Sequence, residues 1–579
     1  MTKQIDKWED INWAKAEADV FRVQRRIFNA SKGEEHANTH QLQALLLSSF
    51  HAKCLAVRKV GWENQGRHTS GVDGVRSLTK PQMWKMANTL DINAEPSPLR
   101  RVNIPKANGK MRPLSIPTMT DRARQTLIAM ILEPQWEPRL PPHMFGFRRG
   151  RSTHDAVANI RQHIQRSPKW LLDADIASFF DNVDREALMG KLDTLPCIRR
   201  AIRRMLQSRV VENLDWISSD TGIPQGGGLS PLLGNIVLSG IEDALTKAFP
   251  PTHRINGHKI GKPPRVVIYA DDLVVFHDRR DVIDEAKAFL TEWLAGYGLH
   301  LNEEKTRVTH TLDTDDGSPG FDFLGYSFRQ HRVGKHQLSP WFNGVLTLIT
   351  PSPKAVKALK EKISGIIMST RPHPKHNAAY AQQKAKGRQG HQERLIHELN
   401  PILRGWGNQF RFQNSKETFT GIDNWLYKKL WQWTNRHYGK LHSRHELVNR
   451  FFNGGNPWTF KAKAPATGKP TELLLLRTIK VGSKEHTAVQ TQRSYYDGNF
   501  IYWVTRRGGY PGIATGAATI LKKQHGKCAR CAETIIMGER LTMIRVTGEE
   551  RQFQSIIHHN CMISTDKEGG RITSGRECQ

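Results

Sequence analysis

Apolar residues recur at helical spacing over 11–60, at Val20, Val23 and Ile27 and again at Leu42, Leu45 and Leu46, with basic positions between them. One apolar stripe per helical turn predicts a helical N-terminal extension. Residues 61–74 are polar, with glycine at both ends, and predict a loop. Over 99–118 two short apolar runs flank Asn108-Gly109, a hairpin pattern. A helix is expected next, from Asp121 as N-cap to about Leu132. Residues 170–176 predict a buried strand, and 265–276 predict two β-branched strands about the acidic turn Tyr269-Ala270-Asp271-Asp272. A helix over 282–299 and a further hairpin strand from Gly320 follow. Beyond about 340 the pattern is helical and basic, with a polar loop over 371–393 and helices at 391–412 and 418–438. Gly454-Gly455-Asn456-Pro457 and the Gly508–Gly512 run are breaks that could bound a further module.

At 579 residues the chain is long enough for three or four domains, and 38% hydrophobic residues suffice for real cores. It carries 86 Lys and Arg against 55 Asp and Glu, a net charge of +31. That excess points to a polyanion as partner, through phosphate neutralisation and counterion release. It says nothing about chemistry. Six cysteines are too few for a disulfide scaffold. Cys54 and Cys197 stand apart, whereas Cys528, Cys531, Cys561 and Cys578 cluster near the end, as metal ligands in a reducing compartment would. Met1 to Asp10 is polar and is no signal peptide, and no run has the apolar length of a membrane span. A cytoplasmic protein that acts on DNA or RNA, without a membrane partner, is expected.

Two adjacent aspartates ending an apolar strand repel each other unless something neutralises them. Divalent metal ions do so, and in nucleotidyl transfer two metals activate the attacking hydroxyl and stabilise the leaving oxygen. Mg²⁺ prefers carboxylate and phosphate oxygens. A third carboxylate on a neighbouring strand is then expected. Asp175 fits, beside Leu171 and Leu172 and before Ile176, whose carbonyl could be a ligand; Asp173, on the same side of the strand, is second choice. A bare Asp-Asp would read as a solvated turn. Its neighbours change that.

Asp173-Ala-Asp-Ile-Ala-Ser-Phe-Phe-Asp-Asn-Val, Gly222-Ile-Pro-Gln-Gly-Gly-Gly-Leu-Ser-Pro-Leu-Leu-Gly-Asn-Ile and Tyr269-Ala-Asp-Asp occur in that order. Ile104-Pro-Lys-Ala-Asn-Gly-Lys-Met-Arg-Pro-Leu, Phe145-Gly-Phe-Arg-Arg-Gly-Arg-Ser, Gly298-Leu-His-Leu-Asn-Glu-Glu-Lys-Thr, Phe321-Asp-Phe-Leu-Gly-Tyr and Asn400-Pro-Ile-Leu-Arg-Gly-Trp-Gly-Asn surround them. Together they resemble a bacterial group II intron-encoded reverse transcriptase and maturase. The resemblance implies an α+β right-hand polymerase: an N-terminal extension over 1–98, fingers and palm with an antiparallel sheet over 99–335, and a helical thumb or maturase domain over 336–450. A basic DNA-binding segment over 451–514 and a zinc module over 515–579 would follow.

The same resemblance implies roles. Asp175, Asp271 and Asp272, with the Ile176 carbonyl, would hold two Mg²⁺ ions. Lys106 and Arg112 would hold the dNTP triphosphate, Phe180 would exclude a ribose 2′-hydroxyl, Gln225 would contact the nucleotide and Lys305 would lie near the leaving pyrophosphate. Phe323, Leu324 and Gly325 would form the primer grip. Partners would be the intron RNA, an RNA template with a DNA primer, and target DNA, with functions in splicing and retrohoming. Between the thumb aromatics Trp406, Phe410, Phe412, Trp425, Trp431 and Trp433, expected mostly in a core, Arg404, Arg411, Lys428, Lys429 and Arg436 would meet RNA phosphates.

Relatives often end in an HNH nuclease built on zinc. Here Cys528-x2-Cys531 could join His558-x2-Cys561 as four ligands, or His558-His559 could be a catalytic pair with Cys561 and Cys578 as ligands; four thiols without metal is the plain alternative. In the first alignment Arg545-Val546 stands where a His pair is expected, and Met562 follows the last Cys. A zinc module without cleavage is expected. Two other functions compete: a splicing cofactor with a decayed polymerase, and a reverse transcriptase recruited to phage defence or a diversity-generating system. The intact Asp175, Asp271, Asp272, Phe180 and Gln225 oppose the first, and the long thumb and cysteine tail oppose the second.

Overall fold

The computed structural model describes residues 6–105, 109, 111–212, 215–217, 221–313, 319–333, 344–370, 388–438, 443–452, 458–463, 470–482, 486–536, 539–547, 552–563 and 572–578. Three helices, Trp13–Lys32, His36–Ser48 and Phe50–Arg58, form the N-terminal part. Val20, Ile27, Leu42 and Leu46 are buried, and these helices pack on the helix Met119–Trp136. Leu45, expected in the stripe, is 48% exposed. The loop expected over 61–74 contains a π-turn at Lys59–Glu63 and a 3-10 turn at Gln65–His68.

The helix Met119–Trp136 starts earlier than the sequence pattern suggests, because Thr118 and not Asp121 is its cap. The Asp121 backbone N–H donates to Thr118 Oγ1 at 3.2 Å, and that hydroxyl donates to the Asp121 carboxylate at 2.7 Å. A capping pair satisfies the free helix-start amides better than Asp121 alone would.

The strands Leu99–Pro105 and Met111–Ile116 pair antiparallel, from Arg100 opposite Ile116 to Pro105 opposite Met111. Val210–Glu212 and Asp215–Ile217 extend this to four strands. A second sheet runs in the order Arg307–His310, Trp170–Asp175, Asp272–His277, Arg265–Tyr269, all antiparallel. Both of its faces are covered. Leu172, Ala174, Val266, Ile268, Leu273 and Val275 join the core of the N-terminal helices, and Leu171, Val267, Val274 and Phe276 join a second core. Period-two alternation sends neighbours to opposite sides, and each fully buried Val or Leu contributes about 1.5–3 kcal/mol. Continuous β-branched runs are therefore what this sheet requires.

The second core is closed by the hairpin Phe321–Phe323 and Tyr326–Arg332, the strand Val345–Pro351, and the helices Pro353–Ser369, Arg388–Phe410 and Lys416–Tyr438. Most of the loop expected over 371–393 lies outside the described residues. Phe410 and Trp433 are buried, and Trp406, Trp425 and Trp431 pack half-buried against the same core. Phe451, Phe452, Phe460, Leu473 and Leu476 also belong to it. A third core joins Phe21 and Phe28 of the first helix to Tyr496, Trp503, Tyr510, Cys528 and Ile557. No helix among the described residues is long and apolar enough to cross a membrane.

Candidate active site

Tyr269 pairs with Asp272 across the two-residue turn Ala270-Asp271. Ala270 has φ of +57°, a left-handed conformation that a two-residue hairpin demands and that costs an L residue about 1 kcal/mol. The turn is held from the side. The Ile268 N–H donates to His143 O and the Phe145 N–H to Ile268 O. Gly146 then passes so close that a Cβ there would lie 2.5 Å from the Ala270 nitrogen. Asn235 Nδ2 fixes this segment by donating to Gly146 O at 3.0 Å.

Asp175 stands opposite Asp272 in the sheet register. The Ile176 N–H donates to Asp271 O at 3.2 Å, tying the end of the Asp175 strand to the acidic turn. Alternation puts Asp173, Asp175 and Asp272 on the face shared with Leu171, Val274 and Phe276. Arg307 Nε lies 3.3 Å from Asp173, and Lys305 Nζ lies 2.7 Å from Asp175. Burial, reinforced by Asp271, Asp175 and Asp173, pushes the Asp272 carboxyl up to about 7. Burial also raises Asp173, against the pull of Arg307. The hydrogen bond to Asp175 raises Lys305. The cluster thus holds more negative charge than its two cations offset. Its donors are all carboxylate oxygens, which suits a hard divalent cation.

Beside the carboxylates, Ser178 turns the chain at φ +43° into the short helix Phe179–Asn182. Phe179 is buried, and Phe180 packs edge-on against it with ring centroids 5.0 Å apart. The loop before Gln225 is pinned here, since the Ile223 N–H donates to Phe180 O at 2.6 Å. Gly222, at φ +83°, approaches so closely that a Cβ would lie 2.5 Å from Asp181 O. Arg112 Nε donates to Gln225 Oε1 at 2.9 Å, and Gln225 Nε2 donates to Asp181 Oδ1 at 3.0 Å. A cavity of about 230 Å³ opens at this corner, lined among others by Arg101, Ser115, Phe180, Asp181, Arg185 and Gln225. Asp181 was not singled out by sequence, although it directly follows the two phenylalanines. Lys106 lies outside the described residues.

Phe323, Leu324, Gly325 and Tyr326 form a tight hairpin, with Leu324 at φ +51° and Gly325 at φ +82°. The Ser352 N–H donates to Gly325 O at 2.8 Å, and Tyr326 Oη donates to Gln409 O, which joins the turn to the helical region.

Near the C-terminus, donor atoms of Cys528, Cys531, His558 and Cys561 all lie within 4.8 Å of one another. His558 ends the strand Gln552–His558, and the helix His559–Ile563 brings Cys561 back toward it. His558 Nδ1 faces the thiols, 3.4 Å from Cys531 Sγ and 3.8 Å from Cys561 Sγ. Its Nε2 lies 3.2 Å from Glu539, a residue sequence reasoning passed over. A carboxylate behind a ligating imidazole is the usual support of a zinc site. Of the two ligand sets considered from sequence, the geometry assembles the first. His559 instead faces Thr542 Oγ1, 3.0 Å from its Nδ1.

Three families match consecutive parts of the chain: "N-terminal domain of reverse transcriptase" over residues 8–90, "Reverse transcriptase (RNA-dependent DNA polymerase)" over 104–328, and "Group II intron, maturase-specific domain" over 381–452. The chain belongs with the group II intron reverse transcriptases and maturases. The polymerase match of this reverse transcriptase contains Arg112, Asp175, Phe180, Gln225, Asp271, Asp272, Lys305 and the turn at Leu324. The maturase match contains the whole of both long basic helices. Among curated proteins, Protein YkfC of Escherichia coli is 29% identical over 323 residues, 47% of this chain and 79% of YkfC. The group II intron-encoded protein LtrA of Lactococcus lactis is 28% identical over 357 residues, 50% of this chain and 58% of LtrA. A 91 kDa protein in the cob intron of Schizosaccharomyces pombe is 31% identical over 408 residues, 61% of this chain and 48% of that protein.

Proposed function

We propose that the sheet bearing Asp175 and Asp272 is the palm of a right-hand polymerase that copies RNA into DNA. The observation that carries this reading is the register: Asp175 faces Asp272, and Ile176 binds the backbone of Asp271. In it, the four-stranded sheet of the 99–116 hairpin is the fingers, and the three helices over 353–438 are the thumb. Asp175, Asp271 and Asp272 would hold two Mg²⁺ ions, which supply activation of the primer hydroxyl and stabilisation of the leaving oxygen. Phe180, lining the cavity beside Gln225, would exclude a ribose 2′-hydroxyl and so favour dNTPs. Arg112 and Lys106 clamp the triphosphate, and Gln225 positions the nucleotide. Lys305, paired with Asp175 at 2.7 Å, would lie near the departing pyrophosphate. Leu324 and Gly325 present a rigid turn to the primer end.

The exposed Arg404, Lys428 and Arg436 are the RNA-phosphate contacts of the maturase function, by which the protein binds intron RNA to promote its splicing and, with target DNA, retrohoming. The cysteine cluster holds one structural Zn²⁺, supported by its three thiols, the His558 imidazole and Glu539 behind it. His559 is engaged with Thr542, and nuclease chemistry is lost. The protein works in the cytoplasm, on the nucleoid when it meets DNA. Primer extension on an RNA template tests the polymerase reading: dNTP-dependent product should form in Mg²⁺ and vanish with chelator. No product in Mg²⁺ would favour the splicing-only alternative. Splicing of the flanking intron RNA with and without protein tests the maturase role.

A further inference from the structure

We infer that Asp181 is a positioning residue for nucleotide selection: it holds the Gln225 amide in the single orientation that presents Oε1 to Arg112. The inference rests on the reading of Arg112 and Gln225 as nucleotide-binding groups. A carboxylate only accepts hydrogen bonds and a guanidinium only donates them, whereas a side-chain amide has one end of each kind. Gln225 lies between the two, its Nε2 3.0 Å from Asp181 Oδ1 and its Oε1 2.9 Å from Arg112 Nε. Turning the amide over would set its NH₂ group against the guanidinium and its oxygen against the carboxylate. Two bonds would be lost and two repulsions gained. The flanking charges therefore dictate the orientation.

The surroundings hold the remaining parts still. Gln225 O accepts from the Ser115 N–H at 2.7 Å, so the strand Met111–Ile116 meets the 221–225 loop through backbone and side chain together. Asp181 N donates to Ser178 O at 2.8 Å, and Asp181 O accepts from Thr221 Oγ1 at 3.3 Å. Asp181 also directly follows Phe180 on the same four-residue helix. The ring facing the sugar, the amide and the phosphate-facing guanidinium thus form one connected string. Asp181 is not among the carboxylates of the metal cluster. Its loss should loosen nucleotide binding and spare the chemical step.

Single-nucleotide incorporation on an RNA template tests this with wild type, D181A, D181N, Q225A and the D181A/Q225A double variant. D181A should raise KM for the dNTP roughly threefold to tenfold, with kcat within about twofold, the range expected for losing one partly exposed charge-assisted bond. D181N, isosteric and still offering an acceptor oxygen, should raise KM less. The double variant should be no worse than Q225A, because Asp181 acts through Gln225. An unchanged KM in D181A, or effects that multiply in the double variant, would overturn the inference. If Q225A leaves KM unchanged, the nucleotide-binding reading of this corner fails. If Q225A raises KM and D181A does not, only the positioning role fails.

Discussion

Asp175 and Asp272 stand directly opposite each other on neighbouring antiparallel strands, and Lys305 touches only the first of them. Burial and three like charges outweigh the weaker pull of Lys305 on Asp272, which is why its carboxyl is pushed up to about 7. The sheet keeps this arrangement although it opposes folding at neutral pH, as expected of a site built for cations.

That cost has a sign and a pH window. The folded carboxyl titrates at about 7, above its ordinary 3.8, so its stabilising contribution is complete below about pH 4 and is lost as pH rises through 7. Asp272→Asn should therefore stabilise the metal-free protein at pH 8, by on the order of 1 kcal/mol. Mg²⁺ should stabilise the wild type more than the variant. Melting temperatures across pH 5–8, with and without chelator, check both; a variant less stable than wild type at pH 8 would contradict the electrostatics.

Backbone packing at the acidic turn gives an opposed pair of outcomes. Gly146→Ala places a methyl 2.5 Å from the Ala270 nitrogen, against backbone that cannot yield, and should lower kcat at least roughly tenfold. Ala270→Gly relieves the φ of +57° and should be neutral or stabilising by up to about 1 kcal/mol. Denaturant unfolding together with single-turnover incorporation separates the two effects.

The sequence disclosed the strands, the acidic turn and the long helices, because each is written in local periodicity and in short runs of residues. It disclosed less wherever register or a distant partner decides. Thr118 outcompetes Asp121 as a cap through a three-residue exchange of bonds. Leu45 fits the apolar stripe but faces outward. Arg112 and Gln225 are 113 residues apart, and no spacing announces their bond. The docking of Tyr496 and Tyr510 on Phe21 is equally non-local. Asp173 and Asp175 share one side of their strand, and it is Arg307 against Lys305 that distinguishes their surroundings.

Phe180→Val should let ribonucleotides in. Trimming the ring removes a steric barrier worth about 1–3 kcal/mol, so the dNTP-over-rNTP preference should drop at least roughly tenfold. Competitive incorporation of dCTP and CTP measures it; an unaltered preference would remove Phe180 from the sugar-facing position.

Protein purified without chelator should carry about one zinc per chain. Cys531→Ser should reduce that content and lower the protease resistance of the tail, as metal binding and local folding are coupled. Metal analysis and limited proteolysis provide the check. Nicking of target DNA that His559→Ala abolishes would show that the nuclease survives.

Primer extension by wild type and Asp271→Ala on one RNA template, at matched RNA binding, bears most directly on the polymerase site. Wild type should extend the primer in Mg²⁺, and the variant should fall by at least about a thousandfold while binding RNA as before. Undiminished synthesis by Asp271→Ala, or none by wild type, would contradict the assignment of Asp175, Asp271 and Asp272 as the catalytic carboxylates.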